Sequence, residues 1–242
     1  MARSTGIRPK GIADQTLESA GIALTAAADP AYRARIERLV PGIRTRGVRV
    51  PRIRALAADL GRGMDGDGAM ALLDAACAGG MRDDILLGIF LLARVRKALP
   101  SIPWPRLMAW LDAVDNWETC DQLAMNIAAP VVAANDGLLP KLLAVAESEN
   151  LWARRFALAT AAALTQKRRG RVDACLAVAA RLILDPEQMV QKALSWALRE
   201  ASEAEPDAVA ALLGRHKAAL APRVLREASE KLPAPLRAKL VS

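Results

Sequence analysis

Four segments of this chain repeat one design, and the repetition constrains the fold more than any other feature. Each begins with a polar or charged pair and continues as an apolar stretch. They are Asp83-Asp84 before ILLGIFLLA, Cys120-Asp121 before QLAMNIAAP, Arg154-Arg155 before FALATAAAL and Gln191-Lys192 before ALSWALREA. The second members, Asp84, Asp121, Arg155 and Lys192, lie 37, 34 and 37 residues apart. A period of about 35–40 residues holding two helices is the pattern of HEAT-like and related α-solenoids, in which one hairpin cannot bury its apolar face alone and must stack on the next. Composition points the same way. The chain holds 51 Ala and 34 Leu, about a third of its 242 residues, and only eight aromatics. Ala and Leu lose least on entering a helix, whereas a sheet draws on Val, Ile, Thr, Tyr and Phe.

The expected fold is therefore all-α: a right-handed α-solenoid (superhelix) of about six HEAT-like helical hairpins, C-shaped with a basic concave face. Residues 1–242 are read as a single domain, with residues 1–30 as a peripheral N-terminal helix. Punctuation fits short helices. Asp185-Pro186 reads as an N-cap followed by a proline in the first turn, and Glu205-Pro206-Asp207 as another start. Pro100, Pro103 and Pro105 separate two helices, and residues 167–170 make a polar turn. Equivalent positions of successive repeats form a row along the inner face. Here that row carries Asp121, Arg155 and Lys192, an odd load for a packing surface.

Charge is unevenly placed. Of the net +8, residues 1–62 hold twelve Lys/Arg against five Asp/Glu, and the remainder 22 against 21. Eight arginines and one acid, Glu37, crowd residues 33–54. Such a cluster either forms a solvated face or meets a polyanion, and nucleic acid is the better reason for this density. The longest uncharged stretch, residues 122–135, is 14 residues long and contains Asn126 and Pro130. A membrane span needs about 18 or more apolar residues. Residues 21–28 follow Asp14 and Glu18 where a signal peptide would carry positive charge. Cys77, Cys120 and Cys175 are odd in number, widely spaced and set among apolar residues, and read as reduced core thiols of a cytoplasmic protein.

Several chemistries lack their parts. His216 is the only histidine and lies in the charged run Arg215-His216-Lys217, so it reads as a surface residue rather than the base of a triad. The sequence has no CxxC, HExxH or Walker loop. Asp65-Gly66-Asp67-Gly68 opens like a calcium loop, but its twelfth position is Ala76, and it reads as a turn. What remains is tryptophan beside charge. Trp117 and Asp121 are spaced i,i+4; Trp152 and Arg155, and Trp196 and Arg199, are spaced i,i+3. These indoles either fill a core or face outward with the charges. In the second arrangement an indole face binds cations and sugar edges, a carboxylate stabilises positive charge, and Arg grips phosphate.

At these residues the sequence resembles the AlkD-like DNA alkylation-repair family, monofunctional DNA glycosylases built from HEAT-like repeats. The matching blocks are DNWETCDQLA (115–124), ESENLWARRFALA (147–159) and MVQKALSWALREASEAEPDAV (189–209), with a weaker one at GVRVPRIRALA (47–57). Their order and spacing agree from about Arg33 onward. The resemblance implies that Asp121 is the catalytic aspartate, Trp117 and Trp196 the active-site tryptophans, and Arg155 the arginine of the site. Lys192 and Arg199 match positions that face DNA phosphates, and Lys167, Arg168 and Arg169 stand where relatives carry lysines. Arg154 beside the site, and Arg44, Arg46 and Arg49 from the basic cluster, complete the expected DNA-binding set; Trp152 reads as packing. Two departures stand out: LVPGIRTRG (39–47) holds no aromatic, and Asn116 occupies a position where the family often has tryptophan.

The implied activity is hydrolysis of the N-glycosidic bond of positively charged N3- or N7-alkylated purines in duplex DNA, the first step of base excision repair. It would be carried out without cofactor or metal by a cytoplasmic, nucleoid-associated monomer that engages alkylated duplex DNA and no membrane. Two other classes stay open: a non-catalytic HEAT-repeat protein that binds bent, branched or damaged DNA, and a scaffold offering its groove to a protein partner.

Overall fold

In the computed structural model, which describes residues 12–166 and 170–241, fifteen α-helices carry the regular structure and no strand occurs among the described residues. They divide into two compact units between Ala98 and Leu99. The first holds α1 (Ile12–Ala26), α2 (Pro30–Leu39), α3 (Val50–Leu60), α4 (Gly66–Gly79) and α5 (Arg82–Arg94). Its core is α5, every residue of which from 85 to 92 is buried. Close packing there requires Gly88, since a Cβ would meet the Cα of Leu73 on α4 at 3.1 Å. The N-terminal helix is not peripheral: α1 packs on α3, α4 and α5 and buries Ala20 and Leu24.

Residues 40–49 link α2 to α3 without regular structure, so their backbone polar groups need other partners. Buried Asp83 supplies them. It accepts hydrogen bonds from Thr45 Oγ1 at 2.6 Å, the Arg46 amide at 2.7 Å, the Val48 amide at 2.8 Å and Arg82 Nη1 at 3.0 Å. Gly47 lets the segment turn among them. Its φ is +82°, and a Cβ there would lie 2.5 Å from the Cβ of Arg33.

The second unit contains α6 (Trp104–Asp112), α7 (Trp117–Leu123), α8 (Ala129–Ala134), α9 (Leu139–Val145), α10 (Leu151–Leu164), α11 (Val172–Arg181), α12 (Gln188–Ala201), α13 (Pro206–His216), α14 (Pro222–Ala228) and α15 (Ala234–Val241). The α7–α8 run, α10, α12 and α14 pack in succession, while α9 and α11 pack against α10 and each other, and α13 packs on α15. Small residues make this possible. Residues 155–164 of α10 are all buried, and α12 turns Val190, Ala193, Leu194, Ala197, Leu198 and Ala201 inward at helical spacing.

A π-helical turn, Ala124–Ala128, joins α7 to α8. Pro130 explains it. Proline lacks the amide that would bond Asn126, and its ring clashes with that carbonyl in an α-helix, a conflict that a wider turn relieves. The turn keeps Ala124, Ile127, Ala128, Val131 and Val132 on the buried side, where the run meets α10.

Local signals in the sequence need two corrections. Asp185 does not cap α12 directly. The helix starts at Gln188, while the Asp185 carboxylate accepts the Glu187 amide at 2.9 Å and an arginine from α10. Asp65 heads no mere turn: its side chain accepts the Gly68 amide at 2.8 Å and caps α4. Of the expected polar turn, residues 167–169 lie outside the described residues. All three cysteines are free thiols, and burial pushes those of Cys77 and Cys175 up to about 12.

Asp83 collects four donors in a dry setting, so removing it leaves the Arg46 and Val48 amides without this acceptor and takes a buried carboxylate from Arg82. Asp83→Ala should cost about 3–5 kcal/mol of stability. Urea denaturation measures this, and a loss below about 1 kcal/mol would contradict the role given to Asp83.

Candidate functional site

The site starts from a cap. Asn116 is buried, and its side-chain oxygen accepts the amides of Glu118 and Thr119, each at 3.1 Å. That fixes Trp117 as the first residue of α7 and puts Asp121 one turn on, on the same face. Asn150 caps α10 likewise, accepting the Trp152 amide at 2.8 Å. Asp121, Arg155 and Lys192 are then each the fifth residue of their helices, α7, α10 and α12. Asp84, the other expected member of the row, is the third residue of α5 and belongs to the first unit.

Arg155 holds the site together. Its Nε donates to Asp121 Oδ1 at 2.9 Å and its Nη2 to Oδ2 at 2.7 Å, a bidentate pair across α7 and α10. Its Nη1 donates to the Met189 carbonyl of α12 at 2.5 Å. Three of the guanidinium's five N–H groups are thereby used inside the protein. The side chains are 8% exposed for Arg155 and 14% for Asp121, so the pair sits at the edge of solvent. Burial pushes the Asp121 carboxyl above the usual carboxylate range, while the hydrogen bonds and charge of Arg155 pull it part of the way back.

On α12, Lys192, Trp196 and Arg199 follow at i, i+4 and i+7, opposite the apolar stripe. Lys192 is exposed; Trp196 and Arg199 are half-buried, as is Trp117 on α7. The second unit thus joins the carboxylate to its arginine and carries both expected tryptophans and two further cations on the helices that this pair and the Met189 contact link, α7 and α12.

Other expected cations are engaged within the protein. Arg154 donates to Asp185 Oδ2 at 2.6 Å and to the carbonyls of Ser148 and Glu149 at 3.0 and 2.8 Å, tying α10 to the start of α12. Arg199 donates to Glu230 at 3.0 Å. In the first unit Arg46 grips Asp84 through two bonds of 3.0 Å, and Arg49 pairs with Asp29 while lying 4.8 Å from the Tyr32 ring centre. Arg44 is exposed beside Gly80. Lys167, Arg168 and Arg169 lie outside the described residues. Trp152 is half-buried, its carbonyl 3.4 Å from the Cys120 thiol. His216 is half-exposed at the end of α13.

Sequence reasoning missed three parts of this site: the Asn116 cap, the Met189 carbonyl and Asp185. The repeat itself carries a signal for two of them. Asp121 and Met189 each lie 34 residues from Arg155, and Asp185 lies 31 from Arg154. An arginine on one inner helix finds its partner about one repeat away.

Because both charges are largely buried, each depends on the other. Arg155→Met should destabilise the protein by about 3–5 kcal/mol and raise the Asp121 carboxyl further. In a double-mutant cycle with Asp121→Ala, the two losses should overlap by about 1–3 kcal/mol, read from denaturant midpoints. Strict additivity would mean that the pair is not coupled.

Comparison with known proteins places this geometry. The model of the DNA alkylation repair enzyme family matches residues 22–232. A solved structure described as a predicted DNA alkylation repair enzyme from Enterococcus faecalis superposes with a TM-score of 0.70 at 22% identity, over 86% of this chain and 97% of that one. That likeness is one of fold. No curated protein matches the chain at a significant level. Since the family model spans the Asp121–Arg155 pair, both tryptophans and nearly the whole chain, the chain belongs to the DNA alkylation repair enzyme family.

Proposed function

We propose that this member of the family is a monofunctional DNA glycosylase that releases positively charged N3- and N7-alkylated purines from duplex DNA. The observation that carries the reading is a largely buried carboxylate, Asp121, held bidentately by Arg155 one turn after a half-buried tryptophan. An alkylated purine already bears positive charge and leaves without being protonated, which suits a site with no histidine. As the bond to C1′ breaks, the base departs with the bonding electrons and the sugar becomes oxocarbenium-like. Asp121 stabilises that cation and orients the water that attacks C1′, whose proton passes to the carboxylate or to solvent. The π faces of Trp117 and Trp196 favour the same charge.

Arg155 does more here than grip a phosphate. With three donors committed to Asp121 and Met189, it positions the carboxylate and keeps it ionised, leaving two N–H groups for a neighbouring phosphate. Lys192 and Arg199 meet phosphates, and so bind duplexes without regard to sequence. The protein works as a cytoplasmic monomer.

One observation favours a second reading, a non-catalytic protein that binds bent or branched DNA. The Asp121–Arg155 pair resembles the Arg154–Asp185 link beside it, and its charges cancel, so it would not repel a phosphate. Turnover separates the two readings.

Asp121→Asn should slow release of N3- or N7-methylpurine from methylated duplex by about a hundred- to a thousandfold, the effect of losing one preorganised electrostatic contact of about 3–4 kcal/mol. The substitution is not silent structurally, because the new amide turns an N–H toward a guanidinium that needs acceptors. Folding must therefore be measured beside excision and binding. Unchanged excision would remove Asp121 from catalysis, and duplex binding by the parent without excision would favour the second reading.

The pH profile offers a separate check. Excision needs the ionised carboxylate, and burial holds its pKa above the usual value of about 3.9. Activity, corrected for spontaneous depurination, should fall with acid along a limb centred above that value. Arg155→Met should move the limb to higher pH. A limb at or below about 3.9, or one indifferent to Arg155, would contradict the assignment.

A further inference from the structure

The row of charges does not stop at Lys192. Buried positions of α12 repeat on α14 and the turn after it with an offset of 31: Ala193, Leu194, Ala197, Leu198 and Ala201 correspond to Val224, Leu225, Ala228, Ser229 and Leu232, all buried. Ion pairs between neighbouring segments keep the same offset, Arg199 with Glu230 and Lys231 with Glu200. In this register Lys192 falls opposite Arg223, and both are exposed. Between the two helices lies a notch of about 150 Å³, lined by Gln188, Gln191, Lys192, Ser195, Arg223 and Glu227 among others.

We propose that this notch seats a phosphodiester group of the DNA strand, clamped between Lys192 and Arg223. Its hydrogen bonding decides which groups can act. Gln191 Nε2 donates to the Asp185 carbonyl at 3.0 Å, and Ser195 Oγ donates to the Gln191 carbonyl at 3.0 Å, so both are tied into the protein. The cations lining the notch are the Lys192 ammonium and the Arg223 guanidinium. Arg223 gives its Nε to Glu227 at 2.7 Å in an exposed i,i+4 pair and keeps both Nη groups. Such pairs are weak, and a phosphate accepts the guanidinium fork at least as well. Glu227, the carboxylate on the notch, therefore competes with the phosphate for Arg223.

This site rests on the DNA-binding part of the proposed function. It is tested by anisotropy with an undamaged duplex over a range of salt, using the full chain with circular dichroism as the check on folding. Arg223→Ala should weaken binding about five- to tenfold and make the slope of log K against log salt shallower by about 0.9, the loss of one phosphate contact. Arg223→Lys should keep most of the slope. Glu227→Gln should tighten binding about threefold. The opposite signs are the signature, because a merely structural Arg223–Glu227 pair would give both variants the same small effect. Parental affinity and slope in Arg223→Ala, or weaker binding by Glu227→Gln, would overturn the notch alone. If the parent fails to bind duplex, the DNA reading falls and the notch with it.

Discussion

One guanidinium ties three successive helices of the second unit together. Arg155 reaches back to Asp121 on α7 and forward to the Met189 carbonyl on α12, and its own helix is buried along most of its length. Surfaces of Ala and Leu give such a stack its cohesion, but they are uniform enough to slide or rotate past one another. A fork with fixed donor geometry is satisfied in a single register. Further links work at about the same interval: Arg154 to Asp185 over 31 residues, Arg181 to Glu147 over 34, Arg171 to Asp136 over 35 and Lys231 to Glu200 over 31. Exposed links of this kind add little energy singly. The buried one sets both the register and the position of the carboxylate that the proposed chemistry uses.

The two units treat a buried aspartate in contrasting ways. Asp83 accepts four hydrogen bonds, two of them from backbone amides, and neither it nor Arg82 is exposed. It is saturated and sealed, and a reacting group has no lone pair to meet. Asp121 accepts two bonds from one side chain and keeps an edge toward solvent. Its remaining lone pairs are the ones available to a cation or a water. Both lie in a polar pair at the start of a repeated segment, and only the partners supplied by neighbouring elements separate the structural carboxylate from the one proposed to react.

That contrast marks where sequence reasoning works and where it stops. The helical class and the like positions of Asp121, Arg155 and Lys192 in their helices follow from composition and spacing, because helical periodicity is local. Position within a helix is less legible. Asp84 and Asp121 head similar segments, yet one is a third and the other a fifth residue, since caps fix the start and Asn116 was not visible as a cap. The π turn needed the clash between Pro130 and the Asn126 carbonyl to be weighed against continuing the helix. Least legible were the partners of the arginines. Arg46, Arg49, Arg154 and Arg199 all suit a phosphate, and all find carboxylates 20–38 residues away in the chain. Residue type alone does not distinguish those two acceptors.

The tryptophans complete the argument through what they leave unburied. Trp110 is 2% exposed and fills the core as an indole in an Ala/Leu protein is expected to, whereas Trp117 and Trp196 are only half-buried. An indole buries about 150–250 Å² when enclosed. Whatever part of it stays in water forgoes about 25 cal/mol for each Å². On α12 the cost is plain, because Trp196 shares its face with Lys192 and Arg199 while a valine, leucines and alanines occupy the buried stripe. A sequence under pressure for stability alone gains by moving that indole inward or replacing it with a polar side chain. Kept partly exposed one turn from a cation, and matched on α7 by an indole one turn from a carboxylate, these two rings are the ones that the proposed chemistry would set beside the deoxyribose.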